Sequence, residues 1–93
     1  MSKTIRDDVY LAISKERIYQ DRKWGVDKQQ SVPGFLLIMR KELEEAEKAW
    51  LKNVRGDRQT VLEEIVQVAA TAVACLERYG VEGNTISVGD KSE

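Results

Sequence analysis

Apolar residues recur every three to four positions over three stretches of this chain, and a glycine follows each stretch. In the first, Ile5, Val9, Ala12 and Ile13 form one stripe that continues at Glu16. This spacing predicts a helix over residues 4–24, stopped by Gly25 in the position where a left-handed residue ends a helix. The stripe fades into Arg17, Gln20, Asp21, Arg22 and Lys23, so the helix end is polar on most sides yet closes on Trp24. In the second stretch, Ser31 reads as a cap and Pro33 as a first-turn residue, because proline's missing N–H costs nothing there. A helix over 33–54 follows, with Phe35, Met39, Leu43, Ala46 and Trp50 on one face. After the connector Arg55-Gly56-Asp57, the third helix covers 58–79 and stops at Gly80. Its start is capped either by Thr60, boxed with Glu63, or by Asp57. Residues 81–93 hold an isolated alternation, Thr85-Ile86-Ser87-Val88. They are expected to form an extended or flexible tail, beside a helical domain spanning 1–80.

These patterns predict an all-α fold: a three-helix protomer whose second and third helices run antiparallel. The third helix is unusually apolar. It carries no charge from residue 65 to residue 76, and small residues occupy most of its circumference. Two amphipathic neighbours are too few to cover it, which points to a helical bundle completed by further copies of the chain, a homodimer or homotetramer. The alternative is a monomer whose tail folds back over that surface.

Composition removes several chemistries. The chain has no histidine and one cysteine, Cys75, so histidine-based acid–base or zinc schemes and an intrachain disulfide are excluded for this chain alone. Cys75, inside the apolar run, reads as a buried reduced thiol. No apolar run approaches the roughly 18 residues of a membrane span, and no signal pattern opens the sequence, so the expected setting is cytoplasmic, without a membrane partner. Net charge is −1, but residues 1–41 carry nine Lys/Arg against five Asp/Glu, and 42–93 carry six against eleven. A basic arm beside an acidic body suits a metal-bridged phosphate ligand, and equally suits plain intramolecular complementarity. No compact basic stripe suggests nucleic acid.

Carboxylates are therefore the candidate chemistry. At about 100° per residue, Glu42 and Glu45 lie about 60° apart on the second helix with Ile38 and Ala49 between them. Glu44 and Glu47 point elsewhere, as solvent charge. On the third helix Glu64 and Gln67 form a similar pair, one turn apart. Facing pairs of this kind on antiparallel helices can supply oxygen ligands to Mg²⁺, with Mn²⁺ an alternative. Two helices with acidic flanks and no metal fit the same spacing. Arg17, Arg22 and Lys23 are candidate phosphate contacts and Trp24 a candidate base contact, or together they are a solvated helix end.

At these residues the chain resembles a family. The stretch Glu16-Arg17-Ile18-Tyr19-Gln20-Asp21-Arg22-Lys23-Trp24-Gly25 is similar to the N-terminal signature of small MazG-like proteins in the all-alpha nucleoside triphosphate pyrophosphatase superfamily. Glu42-Leu43-Glu44-Glu45 matches the family's Glu-x-x-Glu, and Glu64-Ile65-Val66-Gln67 falls on its Glu-x-x-Asp. Val68-Ala69-Ala70 and Leu76-Glu77 match the small-residue helix after it. The resemblance covers residues 5–79. It implies Mg²⁺-dependent hydrolysis of a nucleoside or deoxynucleoside triphosphate between the α and β phosphates, giving monophosphate and pyrophosphate, in dimers or dimers of dimers. It makes Glu42, Glu45 and Glu64 the metal ligands and, with Gln67, the catalytic set. Base and phosphate contacts fall to Arg17, Gln20, Lys23 and Trp24. Gln67 departs from the pattern: its amide can ligate a metal but brings no charge and cannot act as a general base. A catalytically inactive nucleotide- or metal-binding relative is thus the alternative, and a small helical interaction or assembly protein is another.

Overall fold

A computed structural model describes residues 4–25, 30–52 and 58–82, with backbone alone for 58 and 59. Three helices make up the described chain: α1 (Ile5–Trp24), α2 (Val32–Lys52) and α3 (Arg58–Tyr79). Their limits follow from local chemistry. Thr4 caps α1 by accepting from the Asp7 N–H at 3.1 Å, while the Asp7 carboxylate accepts from the Thr4 N–H at 3.1 Å. This reciprocal pair satisfies two donors that the first turn leaves open. Ser31 Oγ accepts from the Gly34 N–H at 3.1 Å, so the expected cap of α2 is in place, with Pro33 in the first turn. Gly25 and Gly80 take φ of 87° and 83°, and their N–H groups close on Asp21 and Leu76 carbonyls. A side chain at either position would meet the left-handed penalty that glycine escapes.

Two cap expectations fare differently. Thr60 is the third residue inside α3, too far in to be its cap. Asp57 lies outside the described residues, as do the end of the 33–54 expectation at 53–54 and the alternation at 85–88.

α3 is the central element and packs against both α1 and α2, which do not approach one another closely. α2 and α3 are antiparallel: Glu42 meets Thr71, and the Gln30 carbonyl before α2 accepts from Tyr79 Oη at 2.8 Å. The all-α, three-helix protomer is thus as expected.

The interior is small. Its buried apolar residues, among those described, are Phe35, Ala46, Ala70 and Ala74, joined by two polar residues, Gln20 and Thr71. Leu43 and Trp50, expected on the packed face of α2, are exposed. The angular positions explain this: taking Phe35 as the centre of the buried face, Ala46 lies about 20° away, but Trp50 and Leu43 lie about 60° and 80° to one side. α3 covers only the centre. Likewise Ile5 and Val9 at the start of the α1 stripe are exposed, while Ala12, Ile13 and Glu16 are half-buried. Cys75 is half-buried rather than buried, and burial still lifts its thiol above the usual value, which keeps it in the inert protonated form. No helix among the described residues is long and apolar enough to cross a membrane.

Candidate acidic cleft

The same angular reasoning places Glu42 within about 20° of Phe35, two turns along α2 and near the centre of the face that packs. A glutamate there must be satisfied by something. Across the interface, Thr71 on α3 presents its hydroxyl to Glu42 Oε1 at 2.8 Å. Beside this contact the three helices leave a cleft of about 350 Å³, lined by Glu16, Tyr19, Gln20, Lys23, Trp24, Glu42 and Gln67. That volume lies within the range of small-molecule sites.

Electrostatically the cleft gathers like charge. Burial, above all, lifts the Glu42 carboxyl over the ordinary carboxylate value. The Thr71 hydrogen bond works against this, while Glu45, Glu16 and Glu64 add to it. Glu64 is lifted by burial, then by Glu45 and Glu63. Glu16 is lifted by burial, lowered by Lys23 and lifted again by Glu64. Carboxylates from all three helices therefore oppose one another's ionisation, as uncompensated acidic groups do. Glu64 is half-buried, but its Oε1 is out of contact with solvent and has no hydrogen-bond partner. A carboxylate oxygen in that state is costly to keep ionised.

Each expected site residue has a definite place. Glu42, Gln67, Gln20, Lys23 and Trp24 meet at the cleft. Glu45 is exposed, on the flank of α2, and acts on Glu42 and Glu64 through its charge. Gln67 is half-buried, and its main-chain carbonyl lies 2.9 Å from Thr71 Oγ1. Arg17 is not brought to this cleft. Its guanidinium is committed to Glu77 at 2.7 and 3.0 Å and to Asp21 at 2.8 Å, and it lines a separate hollow with Trp24, Phe35 and Arg78. Burial alone would lower the Arg17 pKa; the bonds to Glu77 and Asp21 outweigh it and leave the group more firmly charged. Gln20 is 2% exposed and engaged at both ends of its amide, accepting from Arg17 and donating to Thr71. Lys23 is exposed and lies 5.9 Å from the Tyr19 ring centre, within cation–π reach.

Three residues at the site were not among the expected ones: Glu16, Tyr19 and Thr71. Glu16 left a signal, an acid continuing an apolar stripe. Thr71 left another, a hydroxyl in an uncharged run otherwise built of alanine, valine, cysteine and leucine from residue 68 to residue 76.

The donor chemistry suits a hard divalent cation, since carboxylate oxygens are its preferred ligands. The positions do not yet make a ligand set. Among the described residues, no three His, Cys, Asp or Glu side chains stand close enough together to hold a metal ion. No family model, curated protein or solved structure matches the chain. The MazG-like resemblance therefore rests on the sequence motifs alone.

Proposed function

We propose that the cleft between the three helices binds a nucleoside or deoxynucleoside triphosphate together with a divalent cation, Mg²⁺ or Mn²⁺. The observation that supports this is the mutual repulsion of Glu16, Glu42, Glu45 and Glu64, with a buried Glu64 oxygen that lacks a hydrogen-bond partner, while Lys23 offsets the charge of Glu16. Acidic groups so gathered are relieved by a cation. On this reading Glu42, Glu45 and Glu64 supply oxygen ligands, and the cation offsets phosphate charge. Lys23 and Trp24 at the cleft rim meet phosphate and base. A homodimer or homotetramer is part of the proposal, supported by the exposed apolar surface of α2 and α3.

Two forms of this function differ in chemistry. In the fuller form the chain is a MazG-like pyrophosphohydrolase, cleaving between the α and β phosphates. In the narrower form it binds nucleotide or metal without turnover. The described side chains favour the narrower form, because no three acids are assembled for a metal and Gln67 takes the place of a fourth acid. Pyrophosphate release from a panel of ribo- and deoxynucleoside triphosphates with Mg²⁺ or Mn²⁺ separates them. Release that disappears in Glu42→Gln and Glu45→Gln supports hydrolysis. Calorimetric nucleotide binding that depends on the cation, with no release, supports the narrower form. Absence of both leaves a helical interaction or assembly module.

A further inference from the structure

We infer that α1 is the movable wall of the cleft: it lifts off the α2–α3 pair as one unit, and the cleft exists only while it is docked. The helices differ in what holds them. Phe35, Ala46, Ala70 and Ala74, the buried apolar residues among those described, all belong to α2 and α3. α1 packs on α3 and not on α2, and its one buried residue among those described is polar, Gln20. The apolar side chains that α1 shelters best, Ala12, Ile13 and Trp24, are half-buried. Polar links run across the joint instead. Gln20 Nε2 donates to Thr71 Oγ1 at 3.2 Å, and the Arg17 guanidinium donates to Glu77 Oε1 at 2.7 and 3.0 Å. When helices part, such groups recover hydrogen bonds from water, so each resists separation less than a buried apolar side chain does. Glu77 keeps 55% of its side chain exposed, which leaves the ion pair open to solvent screening. Segments with few buried apolar contacts are the ones that open below the global unfolding free energy.

Opening dismantles the cleft. Glu16, Tyr19, Gln20, Lys23 and Trp24 line it from α1, against Glu42 from α2 and Gln67 from α3. α2 and α3 keep their own contacts when α1 leaves, including the bond from Tyr79 Oη to the Gln30 carbonyl at 2.8 Å. A ligand in the cleft therefore touches chiefly the element least firmly attached, and its entry and release go with α1. That consequence rests on the reading of the cleft as a ligand site, whereas the movement itself does not.

The test is hydrogen–deuterium exchange of the full chain without ligand, resolved to each helix and corrected for intrinsic rates. A detached 20-residue helix is marginal in water, so opening exposes its amides. Central amides of α1 are expected to exchange about 10-fold or more faster than those of α2 and α3 around Ala46 and Ala70. Glu77→Gln weakens the link to Arg17 at an exposed position, and circular dichroism is expected to show the variant as helical as the wild type. It is expected to speed exchange in α1 about 10-fold further while α2 and α3 stay within about two-fold. Protection equal in all three helices, or an effect of Glu77→Gln that is absent or shared equally by them, overturns the inference. Because exchange is read without ligand, its failure is distinguishable from a failure of nucleotide binding, which calorimetry reads.

Discussion

Two regions of this molecule reverse the usual distribution of polarity. At the meeting of the three helices, where apolar side chains normally pack, lie Gln20, Thr71 and Glu42, tied by hydrogen bonds and bordered by Glu16 and Glu64. On the outer side of α2 and α3, Leu43, Trp50, Leu51 and Ile65 are exposed along an apolar groove shared with Ala46 and Val61. A chain gains little stability from buried polar groups and little from leucine and tryptophan side chains left exposed. The contrast teaches that stability of the lone protomer does not account for either region. The inner one is held by specific hydrogen bonds and the outer one leaves apolar surface uncovered, the contrast on which the proposed site and the proposed self-association rest.

The comparison breaks first at Phe35. This side chain is the one large apolar group among the described buried residues, 5% exposed, and Phe35→Ala should cost about 3–5 kcal/mol in urea unfolding. Leu51→Ala, at a residue 73% exposed, should stay within about 0.5 kcal/mol in the monomer, unless self-association covers it. A similar loss at both positions would mean that the groove is already core. Next comes the inner region. On the proposed reading, Glu42→Gln should reduce cation-dependent nucleotide binding, and any pyrophosphate release, about 100-fold, because the amide keeps an oxygen but loses the carboxylate's charge. Binding assays with the variant's urea midpoint as control would check this.

The outer region is sharpened by Trp50→Lys. If further copies of the chain cover the groove, sedimentation velocity should show the variant shifting toward monomer while Mg²⁺-free helicity is retained. An unchanged assembly would move the interface elsewhere. The smallest effect concerns Glu64, whose carboxyl is held above its ordinary value by burial and by Glu45 and Glu63, with Glu16 on α1 facing the same charge. A carboxyl raised in the folded state binds its proton more tightly there. Its contribution to stability is therefore present below the unfolded pKa and lost as pH rises through the folded one. In EDTA, Glu64→Gln should raise the urea midpoint at neutral pH and leave it nearly unchanged below about pH 4. A variant less stable than wild type at neutral pH would show that the ionised group has a partner after all.

The helices were legible because their signals are local. Gly25 and Gly80 end α1 and α3 where the spacing predicts, and Ser31 caps α2. The acidic set was legible in part. Angular position brought out Glu42, Glu45 and Glu64, but it could not tell that Glu42 lies near the centre of the α2 packing face. That depends on which stripe α3 covers, a tertiary fact. Thr71 and Glu16 escaped for the same reason, since each acts across helices. Arg17 shows what residue type leaves out: it suggested a phosphate contact, and in the folded chain Asp21 and Glu77 engage the guanidinium.

Calorimetric titration of a non-hydrolysable nucleoside triphosphate analogue into the wild-type chain and Glu42→Gln, each with Mg²⁺ and with EDTA, bears most directly on the acidic cleft. The proposed role predicts saturable binding by the wild type that requires Mg²⁺ and is lost in Glu42→Gln. Binding that ignores both the cation and Glu42, or no binding by the wild type, would contradict it.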